Sequence, residues 1–128
     1  GAEDPVYSPD GSRIAFVRWR RLGAGKNADS RTSDIFTVRA GGGGLRRITG
    51  GIGNDYSQTW DPSGERLAFV RYLPEQYEPD ELGYGSAVLQ VNADGSCLSS
   101  VLAPSFNTAF FGVAWQPGPG REAGRISC

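Results

Sequence analysis

The chain has 128 residues and a net charge of −1, from 13 basic and 14 acidic side chains, so its bulk electrostatics gives no case for binding nucleic acid or an anionic membrane. Histidine is absent, which removes the commonest general base and metal ligand, and methionine is absent too, so a processed product, an excised fragment or a chain with Gly1 as a leftover is expected. Glycine, at 19 residues, is about twice its ordinary share, and with 8 prolines it argues for many tight turns between short strands.

In chain order, the first expected strand is short and ends at Val6-Tyr7-Ser8. Pro9-Asp10-Gly11 then supplies a turn, with proline presetting φ and glycine tolerating φ > 0. The second strand spans 13–17, where Ile14-Ala-Phe-Val17 is apolar at consecutive positions, the pattern of a strand buried on both faces. A long connection over 18–32 follows, carrying Arg18, Arg20, Arg21, Lys26 and Arg31 against Asp29. The third strand spans 34–39, and a glycine-rich turn leads to the fourth over 45–49.

The pattern then repeats at a constant offset of 53. Ser8-Pro-Asp-Gly-Ser-Arg-Ile-Ala-Phe-Val-Arg18 returns as Asp61-Pro-Ser-Gly-Glu-Arg-Leu-Ala-Phe-Val-Arg71, identical at seven of eleven positions. The offset also maps Ile35 onto Val88, Gly42 onto Gly95 and Ile48 onto Val101. The second long connection, over 72–84, is acidic through Glu75, Glu78, Asp80 and Glu81. A third copy opens at Trp115-Gln-Pro117 and stops after Arg121. No stretch has helical periodicity, and none approaches the ~20 apolar residues of a spanning helix. No signal-peptide pattern precedes the first strand.

Four antiparallel strands per unit of about 50 residues, apolar on both faces, describe the blades of a β-propeller. The expected fold is therefore all-β: blade 1 over about 5–50, blade 2 over about 56–103, and the first strand of a third over about 110–117. Ser8-Pro-Asp-Gly11 with Ile14-Ala-Phe16, then Asp34-Ile-Phe36, Val38 and Thr49, resembles the WD40-like PD40 repeat of TolB-type propellers. The second copy departs at Ser63 and Leu102, and the third is degenerate at Gln116-Pro-Gly-Pro119. The resemblance implies a bacterial protein of the periplasm or cell exterior that binds protein partners without catalysis. Similar propellers also precede the hydrolase domain of prolyl-oligopeptidase-like peptidases, which supplies an alternative: a gating segment of a larger peptidase or sensor.

Propellers close with four to eight blades. Two blades and one strand leave apolar faces of the Ile14, Phe16, Leu67 and Phe69 type uncovered, so the first expected partner is another blade. A head-to-tail ring of three or four copies satisfies this, as do the missing blades of a longer chain.

Catalysis is not expected, because a Ser-His-Asp triad and zinc spacing both lack their histidine and no G-x-S-x-G is present. No metal or cofactor is expected either; Asp10 reads as a turn residue, not a calcium ligand. The candidate partner-binding residues are Trp19, Arg20, Arg21, Tyr77 and Tyr84, which have the aromatic and arginine character of interface hot spots, joined by Phe110 and Phe111 in the last connection. The competing reading pairs the basic connection with its acidic neighbour. Tyr7, Trp60 and Trp115 are expected to pack between blades. Cys97 and Cys128 have two open states, paired in an oxidising compartment or both free, and the terminal position of Cys128 favours free thiols.

Overall fold

The computed structural model describes residues 1–21, 31–51, 53–73, 85–106, 112–115 and 124–128. Eight strands make one open mixed sheet: β1 (Ala2–Tyr7), β2 (Arg13–Arg21), β3 (Arg31–Arg39), β4 (Arg46–Arg47), β5 (Asn54–Trp60), β6 (Arg66–Leu73), β7 (Gly85–Asn92) and β8 (Ser99–Phe106). No helix occurs among the described residues. Within the sheet, β1–β4 and β5–β8 are two antiparallel four-stranded units. They join through a single parallel bridge, Ser33 to Asn54. The bridge exists because two-residue β4 covers only Thr37 and Phe36 on the edge of β3, leaving the edge at Ser33 for the incoming β5.

The offset of 53 is written into the backbone as well as the residues. Positive φ recurs at Asp4 and Ser57, Gly11 and Gly64, Gly42 and Gly95, and Gly44 and Cys97. The first pair marks a bulge in β1 and in β5, where the ladder register slips. Gln58 Nε2 in the second bulge donates to the Asp4 carbonyl in the first at 2.5 Å.

The tight turns show how the second copy keeps its geometry despite Ser63. In the first turn Asp10 Oδ1 accepts from Ser8 Oγ at 2.7 Å, Ser12 Oγ at 2.7 Å and Ser12 N at 3.0 Å. In the second, Asp61 Oδ1 accepts from Glu65 N at 3.0 Å and Arg66 N at 3.2 Å, while Ser63 Oγ donates to Asp61 Oδ2 at 2.8 Å. Serine and aspartate have exchanged places and the pair persists. Gly11 N to the Ser8 carbonyl, 2.8 Å, and Gly64 N to the Asp61 carbonyl, 3.0 Å, close the two turns. Both glycines hold the left-handed φ that a side chain would oppose.

These bonds hold the Asp10 carboxyl at about 2, below its ordinary 3.8, chiefly through the Ser12 amide and hydroxyl. A depressed carboxyl stabilises the fold where it is ionised in both states, so its contribution is complete above about 3.8 and is lost as pH falls through about 2. Carboxyl-detected NMR titration is expected to place the Asp10 midpoint near 2 in the wild type, moving back toward 3.8 in Ser12→Ala. An unmoved midpoint would contradict the hydrogen-bond origin.

The core lies between the units. Ala15, Ile35 and Ile48 of the first cluster with Trp60, Leu67, Phe69 and Val91 of the second, each less than a tenth exposed. The register sorts these side chains by face. In the first unit Ala15 and Val17 lie opposite Thr37 and Ile35, whereas Ile14 and Phe16 lie opposite Val38 and Phe36 on the other face. Leu67 and Phe69, 53 residues after Ile14 and Phe16, are both at 0% exposure. The second unit thus lays its Leu67/Phe69 face on the Ala15/Ile35 face of the first. The expectation that Leu67 and Phe69 are uncovered is corrected: both are fully buried, and among the described residues it is the first unit's equivalent face that is open. Trp60 packs in the core as expected and donates Nε1 to the Val6 carbonyl at 3.1 Å. Tyr7 does not: lying beside Ile14 on the open face, it is 62% exposed.

The remaining face of the second unit carries Arg66, Ala68, Val70, Val88 and Gln90. C-terminal residues lie across it. The Arg66 guanidinium sits 4.6 Å from the Trp115 ring centre, and the Asn92 side-chain amide makes two bonds to the Ile126 backbone, 2.8 and 2.9 Å. Arg125 pairs with Asp94 at 2.6 Å, and Cys128 is disulfide-bonded to Cys97. The expectation of free thiols is therefore corrected; the end of the chain is held by polar contacts that bring the two sulfurs together. Of the further strand expected over 110–117, the described part, residues 112–115, is irregular. A strand needs a ladder partner, and none of the described strands offers it one.

Candidate functional site

The residues singled out in the first long connection lie on a strand. The β2–β3 hairpin continues through Trp19 opposite Ser33, Arg20 opposite Thr32 and Arg21 opposite Arg31. The connection is shorter than the sequence suggests because hairpin pairing continues past Val17, where no run of apolar residues marks it. Trp19 Nε1 donates to Glu3 in β1 at 3.0 Å. Tyr77, Tyr84, Phe110 and Phe111 lie outside the described residues, as do the acidic residues Glu75, Glu78, Asp80 and Glu81.

Arg20 belongs to a charged cluster at the junction of the units. Its Nε donates to Asp34 Oδ2 at 2.8 Å, and Arg47 Nη2 approaches the same oxygen at 2.9 Å. Across the junction, Arg71 grips Asp55 with both arms, Nε to Oδ1 at 2.7 Å and Nη2 to Oδ2 at 2.8 Å. These bonds push the Arg71 guanidinium above its ordinary value, first through the Asp55 hydrogen bond. The arginines also hold the peptide that links the units. The carbonyls of Thr49, Gly50 and Gly51 accept in turn from Arg47 Nε at 3.0 Å, Arg71 Nη2 at 3.4 Å and Arg20 Nη2 at 3.1 Å. Thr32 Oγ1 donates to the Gly53 carbonyl, and Ser33 Oγ to that of Asp55 at 2.9 Å. Arg20 is thus a structural clamp, bound to Asp34 of its own hairpin and to the Gly51 carbonyl of the linking peptide. Asp34, Arg47, Asp55 and Arg71 are not legible as a group in the sequence, since the partners that join them are 13 to 21 residues away.

The accessible candidate surface is the open face of the first unit. Tyr7, Ile14, Phe16, Phe36 and Val38 share it, Phe16 stacking on Phe36 with ring centres 6.0 Å apart. A shallow apolar cavity of about 200 Å³ opens there between Ala2, Glu3, Pro5, Ile14 and Phe16. Arg18, the equivalent of Arg71, lies on this face with its guanidinium 5.6 Å from the Phe36 ring centre. Position 2, which corresponds to Asp55, is alanine. The first unit therefore repeats the apolar half of the unit-to-unit contact without its carboxylate. Among the described residues no group of histidine, cysteine, aspartate or glutamate is arranged to hold a metal ion.

Three comparisons bear on this arrangement. No protein-family model matches the chain. An uncharacterized peptidase of Bacillus subtilis, YuxL, is 36% identical over 67 residues, which is 52% of this chain and 10% of that protein. A TolB-type protein of Agrobacterium tumefaciens has a similar solved structure, with a TM-score of 0.59 and 26% identity over 82% of this chain and 34% of that one. The chain thus spans a tenth and about a third of the two proteins it resembles, and what it shares with the second is an all-β, TolB-like fold.

Proposed function

We propose that the chain supplies two blades of a TolB-like β-propeller and acts as a non-catalytic protein-binding or scaffolding module, its ring completed by further copies of itself. The observation that carries this reading is the sense of stacking. Because Leu67 and Phe69 repeat Ile14 and Phe16, the second unit sits on the first in one rotational direction, and the open face is the same half-contact left vacant. Contacts of this head-to-tail kind generate rings when the rotation closes, here with Trp115 and the C-terminal residues on the second unit's far face lodged within the new contact. The structural likeness to the TolB-type protein supports the propeller, and the disulfide supports a periplasmic or extracellular setting.

Light scattering tests the reading. The purified chain is expected to run at a multiple of 13.7 kDa, and Phe16→Asp, which places a charge in the open face, is expected to return it to the monomer. A wild-type chain that stays monomeric at high concentration sinks self-association.

The likeness to YuxL favours a second reading, in which these blades form the propeller segment of a larger peptidase-like protein. The chain then stays monomeric alone and associates only with the remaining blades added in trans.

A further inference from the structure

The face of the first unit that meets the second carries, at its turn end, three arginines from three successive strands. Arg13 in β2 lies directly opposite Arg39 in β3, and Arg46 in β4 lies opposite Thr37, one step along the same face. Like charges placed directly across a ladder repel. Among the described residues no carboxylate forms an ion pair with any of the three; the pairs that do form use Arg20, Arg47, Arg66, Arg71 and Arg125. Arg13 Nη2 donates to Thr37 Oγ1 at 3.2 Å, while its Nε is buried with no hydrogen-bond partner. Together with Gly44 and Leu45, the three side chains line an open cavity of about 350 Å³.

The second unit shows that the fold does not require this charge. The positions equivalent to Arg13, Arg39 and Arg46 are Arg66, Asn92 and Ser99. Its single arginine has a carboxylate beside it, Asp61 at 3.6 Å, where the first unit has Ser8. That arginine also bonds Gln90 at 3.3 Å and stacks on Trp115. Asn92 is bound to the Ile126 backbone, and Cys97, the equivalent of Gly44, is tied to Cys128. In the second unit the chain's own tail therefore covers the place that the first unit leaves open and positively charged.

We propose that the Arg13–Arg39–Arg46 cavity binds the phosphoryl group of a small soluble molecule. Planar guanidinium forks match the paired oxygens of a phosphate, and three of them call for an anion of charge two or more. The volume lies at the lower end of small-molecule sites, enough for a diphosphate or a small phosphomonoester. This assignment stands apart from the propeller reading, since it uses the first unit alone.

Calorimetry with inorganic pyrophosphate at low ionic strength tests it, using the intact oxidised chain. Saturable binding at one site per chain is expected, weakening as salt is added. Arg39→Asn and Arg46→Ser install the residues that the second unit carries at these positions, so the ladder is expected to tolerate them. Each is expected to weaken pyrophosphate binding by about tenfold or more, with the circular dichroism spectrum unchanged. Absence of saturable binding at millimolar pyrophosphate, or equal affinity in the doubly substituted chain, overturns the site. Citrate binding as tightly as pyrophosphate overturns the phosphoryl assignment.

Discussion

Asp55→Ala is expected to be among the most destabilising single substitutions in this chain. Asp55 is 2% exposed and its partner Arg71 15%, so removing the carboxylate strands a guanidinium in a site where water cannot replace both bonds. Breaking one side of a buried pair costs about 3–5 kcal/mol, because the remaining charge keeps its desolvation penalty. The Gly50 carbonyl, which Arg71 also holds, loses its anchor when the side chain moves toward water. Asp34→Ala provides the contrast. Asp34 is equally buried, but Arg20 and Arg47 are 40% and 43% exposed and can rehydrate, so a loss of about 1–2 kcal/mol is expected. Urea unfolding of both variants checks the order. Asp55→Ala combined with Arg71→Leu is expected to recover a large part of the loss, since it deletes the orphaned charge. If the double variant is no more stable than Asp55→Ala alone, the stranded-charge account is wrong.

The second large effect concerns the disulfide. Cys97 and Cys128 are 31 residues apart, and closing a loop of that length removes unfolded-state entropy worth about 3–4 kcal/mol in the chain-entropy model. Reduction, or Cys97→Ser with Cys128→Ser, is expected to lower the melting temperature by roughly 10–15 °C for a chain of this size. The effect is local in origin. Once the bond opens, the described contacts that hold the end of the chain are the bonds of Arg125 to Asp94, Glu65 and Ser96 and the Asn92–Ile126 pair, and exposed ion pairs contribute little. Thermal unfolding followed by circular dichroism, with and without reductant, reads the shift. A melting temperature unchanged by reductant would show that the tail adds nothing to the second unit.

Both effects arise from contacts that sequence reading did not reach, and the reason is the same in each case. Asp55 and Arg71 face each other because β5 and β6 pair in antiparallel register after a bulge, and the arm to Gly50 depends on how one unit sits on the other. Spacing along the chain carries neither fact. Cys128 offered only its terminal position, which argues for mobility; the bonds of Arg125 and Ile126 that oppose mobility are tertiary. Trp19 and Arg20 read as connection residues because the apolar run stops at Val17, yet hairpin pairing needs only backbone and carries on through Arg21.

What the sequence by itself determined is the local grammar of each unit. Consecutive apolar residues at 67–70 do mark a strand buried on both faces, at no more than 4% exposure. The Pro-Asp-Gly and Pro-Ser-Gly turns, the second-to-third strand pairing and the offset of 53 are likewise local, because turn chemistry and two-residue periodicity act over a few residues. The tertiary structure alone decided which copy of each repeated face is covered. Ile14 and Leu67, or Arg13 and Arg66, are indistinguishable as positions in a repeat. Their surroundings differ because one unit has a neighbour on its Leu67 side and the chain's tail over Arg66, while the other has neither.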